Sequence, residues 1–216
     1  MSSGSPAPRS GLLFVVSAPS GAGKTSLVAN LRSRLEGLSV SVSHTTRPRR
    51  PREENGISYH FVNLVAFEAM VAEGAFLEHA NVFGNRYGTA IESVRAPLAR
   101  GTDLILEIDW QGAAQIRTLL PDAISIFILP PSLEELEDRL RSRGQDDDAV
   151  IGKRLSKARE EMSHCGEYDY LVVNDEFARA ADDLVAIVRA ERLRRLPQQK
   201  NLAPMLKRLL DTPTDA

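Results

Sequence analysis

The run Leu12-Leu13-Phe14-Val15-Val16-Ser17 passes without a break into Ala18-Pro19-Ser20-Gly21-Ala22-Gly23-Lys24-Thr25-Ser26, and from there into a helix-compatible stretch ending near Leu35. A short continuously apolar run followed by a glycine turn and then a helix reads as buried strand, loop, helix. The turn matches the phosphate-binding pattern G-x-x-x-x-G-K-[ST] except at its first position, where Ala18 replaces glycine. A Cβ is tolerated there if the backbone angles are ordinary. Gly21 and Gly23 let backbone N–H groups converge on phosphate oxygens, and the helix starting near Lys24 points its positive end the same way. Lys24 can reach terminal phosphates, and the Thr25 hydroxyl can serve Mg²⁺.

Outward from this stretch the rhythm repeats. Val40 and Val42 alternate with serines into a second strand. Asp103 to Ile108, Ala123 to Leu129 and Leu171 to Val173 supply three more. Helices are expected over Gln111 to Leu120, Ser132 to Arg143, Asp147 to Met162 and Ala178 to Leu196. The third of these carries an apolar stripe of Val150, Ile151, Leu155, Ala158 and Met162. Ser132 and Glu135 have capping-box spacing. Buried strands alternating with helices imply an α/β fold, a parallel five-stranded sheet flanked by helices.

The segment from about 44 to 100 breaks this alternation. It combines Arg47-Pro48-Arg49-Arg50-Pro51-Arg52 with β-like pieces at Ile57 to Val62 and Phe76 to His79, and an amphipathic stretch from Leu64 to Ala72. It reads as a small α+β insertion beside the main sheet. The expected division is therefore an N-terminal extension over 1–10 read as disordered, a domain over 11–195, and a C-terminal helical tail over 196–216 that frays from Asp211. Within the domain the core is 11–43 and 101–195, the insertion 44–100, and a helical lid lies at about 139–155.

The 216 residues are 43% hydrophobic and 26% charged, enough to bury a core without cross-links. Lys and Arg number 27 against 29 Asp and Glu, a net charge of −2 that offers no overall attraction to nucleic acid or an anionic membrane. The lone Cys165 makes no internal disulfide and reads as a core or half-buried thiol. The apolar run at Leu12 is too short for a membrane span or a signal-peptide core, so the expected location is the cytoplasm.

Two further clusters carry chemistry. Ser43-His44-Thr45-Thr46-Arg47-Pro48-Arg49-Arg50, followed by Tyr59, gathers arginines whose planar forks grip phosphate through paired charge-assisted bonds. A solvated loop is the alternative reading. Beside a phosphate loop, a second arginine site suggests a second phosphorylated substrate. Phe76-Leu77-Glu78-His79-Ala80-Asn81-Val82-Phe83-Gly84-Asn85-Arg86-Tyr87-Gly88-Thr89 embeds Glu78 and Tyr87 among apolar and glycine residues. A carboxylate only accepts, which suits the adjacent N1–H and N2–H₂ donors of guanine and not the unprotonated N1 of adenine. An exposed strand carboxylate is the bland alternative.

Together with Glu107-Ile108-Asp109-Trp110-Gln111-Gly112 and Tyr168-Asp169-Tyr170-Leu171-Val172-Val173-Asn174-Asp175, these motifs resemble bacterial-type guanylate kinases, in order from about Leu12 to Arg195. The resemblance implies a P-loop nucleoside monophosphate kinase with a GMP-binding region and a lid, converting ATP and GMP to ADP and GDP in purine metabolism. It implies ATP contacts from Ala18, Pro19, Ser20, Gly21, Ala22, Gly23, Lys24, Thr25 and Ser26, with Arg139 and Arg143 at the triphosphate and Asn174 near the adenine. Ser43, Glu78 and Thr89 would read guanine. Arg47, Arg50, Tyr59 and Tyr87 would hold the GMP phosphate, and Asp109 would lie near GMP and, through water, the metal. Lys24, Arg47, Arg139, Arg143 and Arg154 would stabilise the transferring group.

Mg²⁺ with ATP is the implied cofactor, and a monovalent cation stays open. So does the choice between monomer and homo-oligomer. Glu107 stands where the family often has Asp, so Asp109 is carried over more readily. Asp109 also reads as a helix N-cap. The lid arginines also read as helix-surface partners of Glu135, Asp138 or Asp147. Two other function classes remain: a non-catalytic module gripping an acidic or phosphorylated protein segment in the same cleft, and a P-loop kinase for another monophosphate. No aromatic stacking series accompanies Arg47 to Arg52, which argues against nucleic acid.

Overall fold

The computed structural model describes residues 10–142 and 148–210. In chain order its elements are β1 (Leu13–Ser17), α1 (Lys24–Arg34), β2 (Leu38–Val40), β3 (His44–Thr45), β4 (His60–Phe61), α2 (Leu64–Ala72), β5 (Phe76–Val82), β6 (Asn85–Ala90) and α3 (Ile91–Ala99). There follow β7 (Asp103–Glu107), α4 (Trp110–Leu119), β8 (Ile124–Leu129), α5 (Leu133–Arg141), α6 (Asp148–Ser163), β9 (Tyr170–Val173), α7 (Phe177–Leu193) and α8 (Arg195–Leu210). The extension over 1–9, Arg143 and the residues to 147 within the expected lid, and the tail from 211 lie outside the described residues.

The main sheet is parallel and five-stranded, in the order β2-β7-β1-β8-β9. All of β1 is buried, as its unbroken apolar run requires of a strand covered on both faces. Successive side chains point to opposite faces. Phe14 and Val16 join Leu27 and Leu31 of α1 with Leu184 and Val188 of α7. Leu13 and Val15 join Leu106, Phe127 and Ile116 of α4. One strand thus builds both cores, and the loop that follows it leaves from the centre of the sheet.

The second strand ends at Val40, because the ladder to β7 covers only Leu38 to Val40 and Val42 falls beyond it. The last expected helix divides: α7 stops at Leu193 and α8 starts at Arg195. Half of the expected capping box is seen: the Ser132 hydroxyl accepts from the Glu135 N–H at 3.1 Å, while the Glu135 carboxylate accepts from Arg139. Helix α5 ends at Arg141.

Residues 44–90 form a second sheet in the order β4-β3-β6-β5. The β-like stretch expected at Ile57 to Val62 contributes only His60–Phe61 as strand. Strands β5 and β6 make a hairpin whose two turn residues, Phe83 and Gly84, both have positive φ, at 50° and 76°. A register shift between Phe76 and Glu78 sets Glu78 opposite Thr89. Such irregularities re-aim side chains, and this one puts a carboxylate on the buried face.

Candidate active site

The loop after β1 is seated on three elements. Gly23 caps α1 with φ 92° and ψ 13°, a left-handed conformation that glycine adopts without steric cost. A Cβ there would fall 2.4 Å from Nδ2 of Asn174. That amide donates to the Ala22 carbonyl at 2.7 Å, and the Asn174 carbonyl in turn accepts from Arg139 at 3.0 Å. Under Gly21 lie Leu136 and Leu140 of α5, within 2.9–3.3 Å of where a Cβ would stand. On the third side Glu161 of α6 faces the Ser20 backbone N–H.

Lys24 extends its ammonium to the Ile108 carbonyl at 3.3 Å. Thr25 and Ser26 are exposed at the loop mouth, while Pro19 and Ala22 are buried and Ala18 is partly so. Asp109 accepts from the Gly112 N–H at 3.0 Å, capping α4, and from Gln111 Nε2 at the same distance. Its N-cap reading therefore holds.

Ser43, Glu78 and Thr89 form one chain. Thr89 Oγ1 donates to Glu78 Oε1 at 2.5 Å, and Ser43 Oγ lies 3.2 Å from Thr89 Oγ1. Because the single Thr89 proton is committed to the carboxylate, Ser43 is the donor in the second bond. Glu78 is only 3% exposed, and burial pushes its pKa up to about 7 against the lowering hydrogen bond from Thr89.

Arg47 donates to Glu53 at 2.6 Å and stands 5.5 Å from the ring of Tyr59. Glu53 also accepts from the Arg50 N–H at 2.8 Å, so one carboxylate shapes the whole arginine turn. Glu53 belongs to none of the motifs; its one signal in the sequence is an acid that directly follows the arginine-proline run. Tyr59 and Tyr87 meet edge-to-face at 5.9 Å. Burial first, then the Tyr87 and Glu107 charges, push the Tyr59 pKa up to about 12, leaving its hydroxyl a donor.

A cavity of about 350 Å³ is lined by Arg47, Arg50, Phe83, Asn85, Tyr87, Val150, Lys153 and Arg154. Four of these are basic and none is acidic, so the hollow between the second sheet and α6 suits an anion. Arg154 and the arginine turn therefore line one hollow. Arg139 has its surface-partner bond to Glu135 at 3.0 Å as well as the bond to Asn174. Asn174, expected near a base, is 5% exposed, and its side-chain amide donates to the loop. Nothing in the sequence flagged Glu161, which looks like one more acid on a charged helix. It is 6% exposed, and burial pushes its pKa up to about 7.

A parallel α/β core, a phosphate loop at its central strand and a basic cavity between the second sheet and α6 define a P-loop protein of the nucleotide-kinase class. A family model for guanylate kinase matches residues 10–191. A guanylate kinase of Nitrosococcus oceani is 57% identical over 202 residues, 94% of this chain and all of that protein. One from Alkalilimnicola ehrlichii is 58% identical over 93% of this chain and 98% of its own length. The crystal structure of guanylate kinase from Anaplasma phagocytophilum superposes with a TM-score of 0.77 at 34% identity, covering 97% of this chain and 99% of that one. The chain belongs to the guanylate kinase family.

Proposed function

We propose that this chain transfers the γ-phosphoryl group of ATP to GMP, giving ADP and GDP, as a cytoplasmic enzyme of purine metabolism and GMP recycling. The observation that carries this reading is the Ser43–Thr89–Glu78 chain, which presents a buried acceptor in the same molecule as a phosphate loop. A carboxylate at that place accepts from the N1–H and N2–H₂ edge of guanine, and adenine offers no such pair of donors. Arg47, Arg50, Tyr59 and Tyr87 hold the GMP phosphate, with Glu53 keeping Arg47 in its pose.

ATP places its β- and γ-phosphates against the N–H groups of the loop from Ser20 to Lys24. The donor set fits a triphosphate that carries Mg²⁺. Thr25 is exposed beside Lys24, Asp109 stands near by, and among the described residues no group of three or more His, Cys, Asp or Glu gathers to hold a metal alone. Thr25 would hold the ion, Asp109 would act through water, and phosphates and water complete the shell. When bound, the ion neutralises charge on the phosphate oxygens.

A GMP phosphate oxygen attacks the γ-phosphorus in line. The bond from that phosphorus to the β,γ-bridging oxygen breaks, and ADP leaves. Positioning and charge neutralisation dominate this chemistry, so no general base is assigned. Lys24 moves from the Ile108 carbonyl to the phosphates, and Arg139, Arg143 and Arg154 neutralise the transferring group. Closure over the cavity keeps water from competing as acceptor.

The test is ADP release from ATP with GMP, AMP, CMP or UMP as acceptor. Turnover that depends on GMP and far exceeds that with AMP is expected. Absence of GMP-dependent turnover removes the kinase reading, and equal turnover with AMP removes the role of Glu78.

A further inference from the structure

The first turn of α4 carries a glycine that its backbone conformation does not demand. Gly112 is not among the positive-φ residues, and alanine outranks glycine at helical positions. What the position does show is a close approach. A Cβ on Gly112 would fall 2.4 Å from Oε2 of Glu78, 3.1 Å from its carboxyl carbon and 3.3 Å from Cδ1 of Ile108. Atoms that close cannot coexist, so one of them would have to move.

Neither partner has room to do so. Glu78 is 3% exposed and tied at 2.5 Å to Thr89, which is itself fully buried. Helix and strand are also clamped to each other. Gln115 accepts from the His79 N–H at 3.1 Å and donates to the His79 carbonyl at 2.8 Å, gripping both backbone groups of the residue after Glu78. Gln111 donates to the Asn81 carbonyl at 3.3 Å. The spacing between α4 and β5 is therefore fixed by two side chains one helical turn apart, and the carboxylate occupies a slot that exists because Gly112 has no side chain.

We propose that Gly112 is a specificity-determining positioning residue for GMP, setting where the Glu78 carboxylate stands and hence which base edge it accepts from. This rests on the proposed role of Glu78 as the guanine acceptor. The guanine site is then built by α4 of the core as much as by the second sheet.

Gly112→Ala, Glu78→Asp, the double variant and Glu78→Gln are compared by kcat/KM for GMP and for IMP, which lacks the 2-amino donors, and by KM for ATP. In Gly112→Ala, kcat/KM for GMP is expected to fall roughly 10- to 100-fold and the GMP-over-IMP preference to shrink, with KM for ATP within about twofold. Aspartate is shorter by one methylene and vacates the slot, so Gly112→Ala in the Glu78→Asp background should change kcat/KM by less than about threefold. If Gly112→Ala alone fails to fold, recovery of folding by Glu78→Asp is the expected result. Normal GMP kinetics in Gly112→Ala, losses of equal size in both backgrounds, or no recovery in the double variant would overturn the proposal. An unchanged GMP preference in Glu78→Gln would instead overturn the reading of Glu78 itself.

Discussion

Asn174 and Ala22 lie 152 residues apart in sequence and are joined by one hydrogen bond, from the Asn174 side-chain amide to the Ala22 carbonyl, at 2.7 Å. The bond ties the phosphate loop to the end of β9, and Arg139 ties the Asn174 carbonyl to α5. Arg139 and the loop thus share a single buried residue.

Asn174→Ala is expected to raise KM for ATP roughly 10-fold while KM for GMP stays within about twofold. A buried carbonyl left without its donor costs about 1–3 kcal/mol, and here that cost falls on the loop's pose. Steady-state kinetics with each substrate varied in turn would check it. Equal effects on both nucleotides would mean that the strut has no local role.

Lys24→Ala should lower kcat by about 10²- to 10³-fold, the scale on which one preorganised charge at a developing anion acts. GMP affinity, measured by calorimetry without ATP, should be nearly unchanged. Normal turnover would remove the loop from the mechanism.

Glu53→Gln is expected to raise KM for GMP roughly 5- to 20-fold with little effect on ATP. The amide keeps the size of the carboxylate but loses the charge-assisted bond that holds Arg47 at 2.6 Å. An unaltered KM would show that the other contacts of Arg47, the Pro48 carbonyl at 2.7 Å and the Tyr59 and Phe61 rings among them, suffice to hold it.

The free enzyme should use GMP less well as pH falls through about 7, because that is where burial has pushed the pKa of Glu78, and the protonated acid offers one acceptor fewer. In Glu78→Gln this step should vanish from the profile of kcat/KM for GMP, leaving only the ionisation of the GMP phosphate near pH 6. A parent profile flat between pH 6.5 and 8 would contradict it.

Glu161 sets a stability dependence of definite sign. Its pKa rises from 4.5 in the unfolded chain to about 7 in the folded one. Proton binding therefore favours the fold fully below pH 4.5, and that contribution is lost as pH rises through 7. Glu161→Gln should be more stable than the parent at pH 8 by up to about 3 kcal/mol, the difference closing towards pH 5. Urea melts at the two values would check it, and a variant less stable at pH 8 would show that the charged form is wanted beside Ser20.

The core was legible because its signals are local. The apolar run before Ala18 could only be a strand covered on both faces, and Gly-Lys-Thr after it could hardly be an idle turn. The arginine turn and Glu78 were legible as residue types. Their supports were not, because Glu53, Gly112 and Glu161 act through distance and burial, which sequence spacing does not encode. Gly112 is an ordinary helix residue until β5 is laid against it. Asn174 carried a clear motif, but its bond to the loop was not legible, since only the tertiary fold brings its amide to the Ala22 carbonyl. Val42 fell outside the second strand for a similar reason: alternation continued, but the neighbouring strand did not.

The hollow shared by Arg47, Arg50, Lys153 and Arg154 has a consequence for bench practice. A nest of cations does not discriminate among small anions when its intended occupant is away, so sulfate or inorganic phosphate in a buffer competes for it and props up the resting protein. Apparent GMP affinity should weaken, and melting temperature should climb, as either salt is raised at constant ionic strength with chloride as the reference. Comparisons between variants made in different buffers would then report on the salt as much as on the mutation.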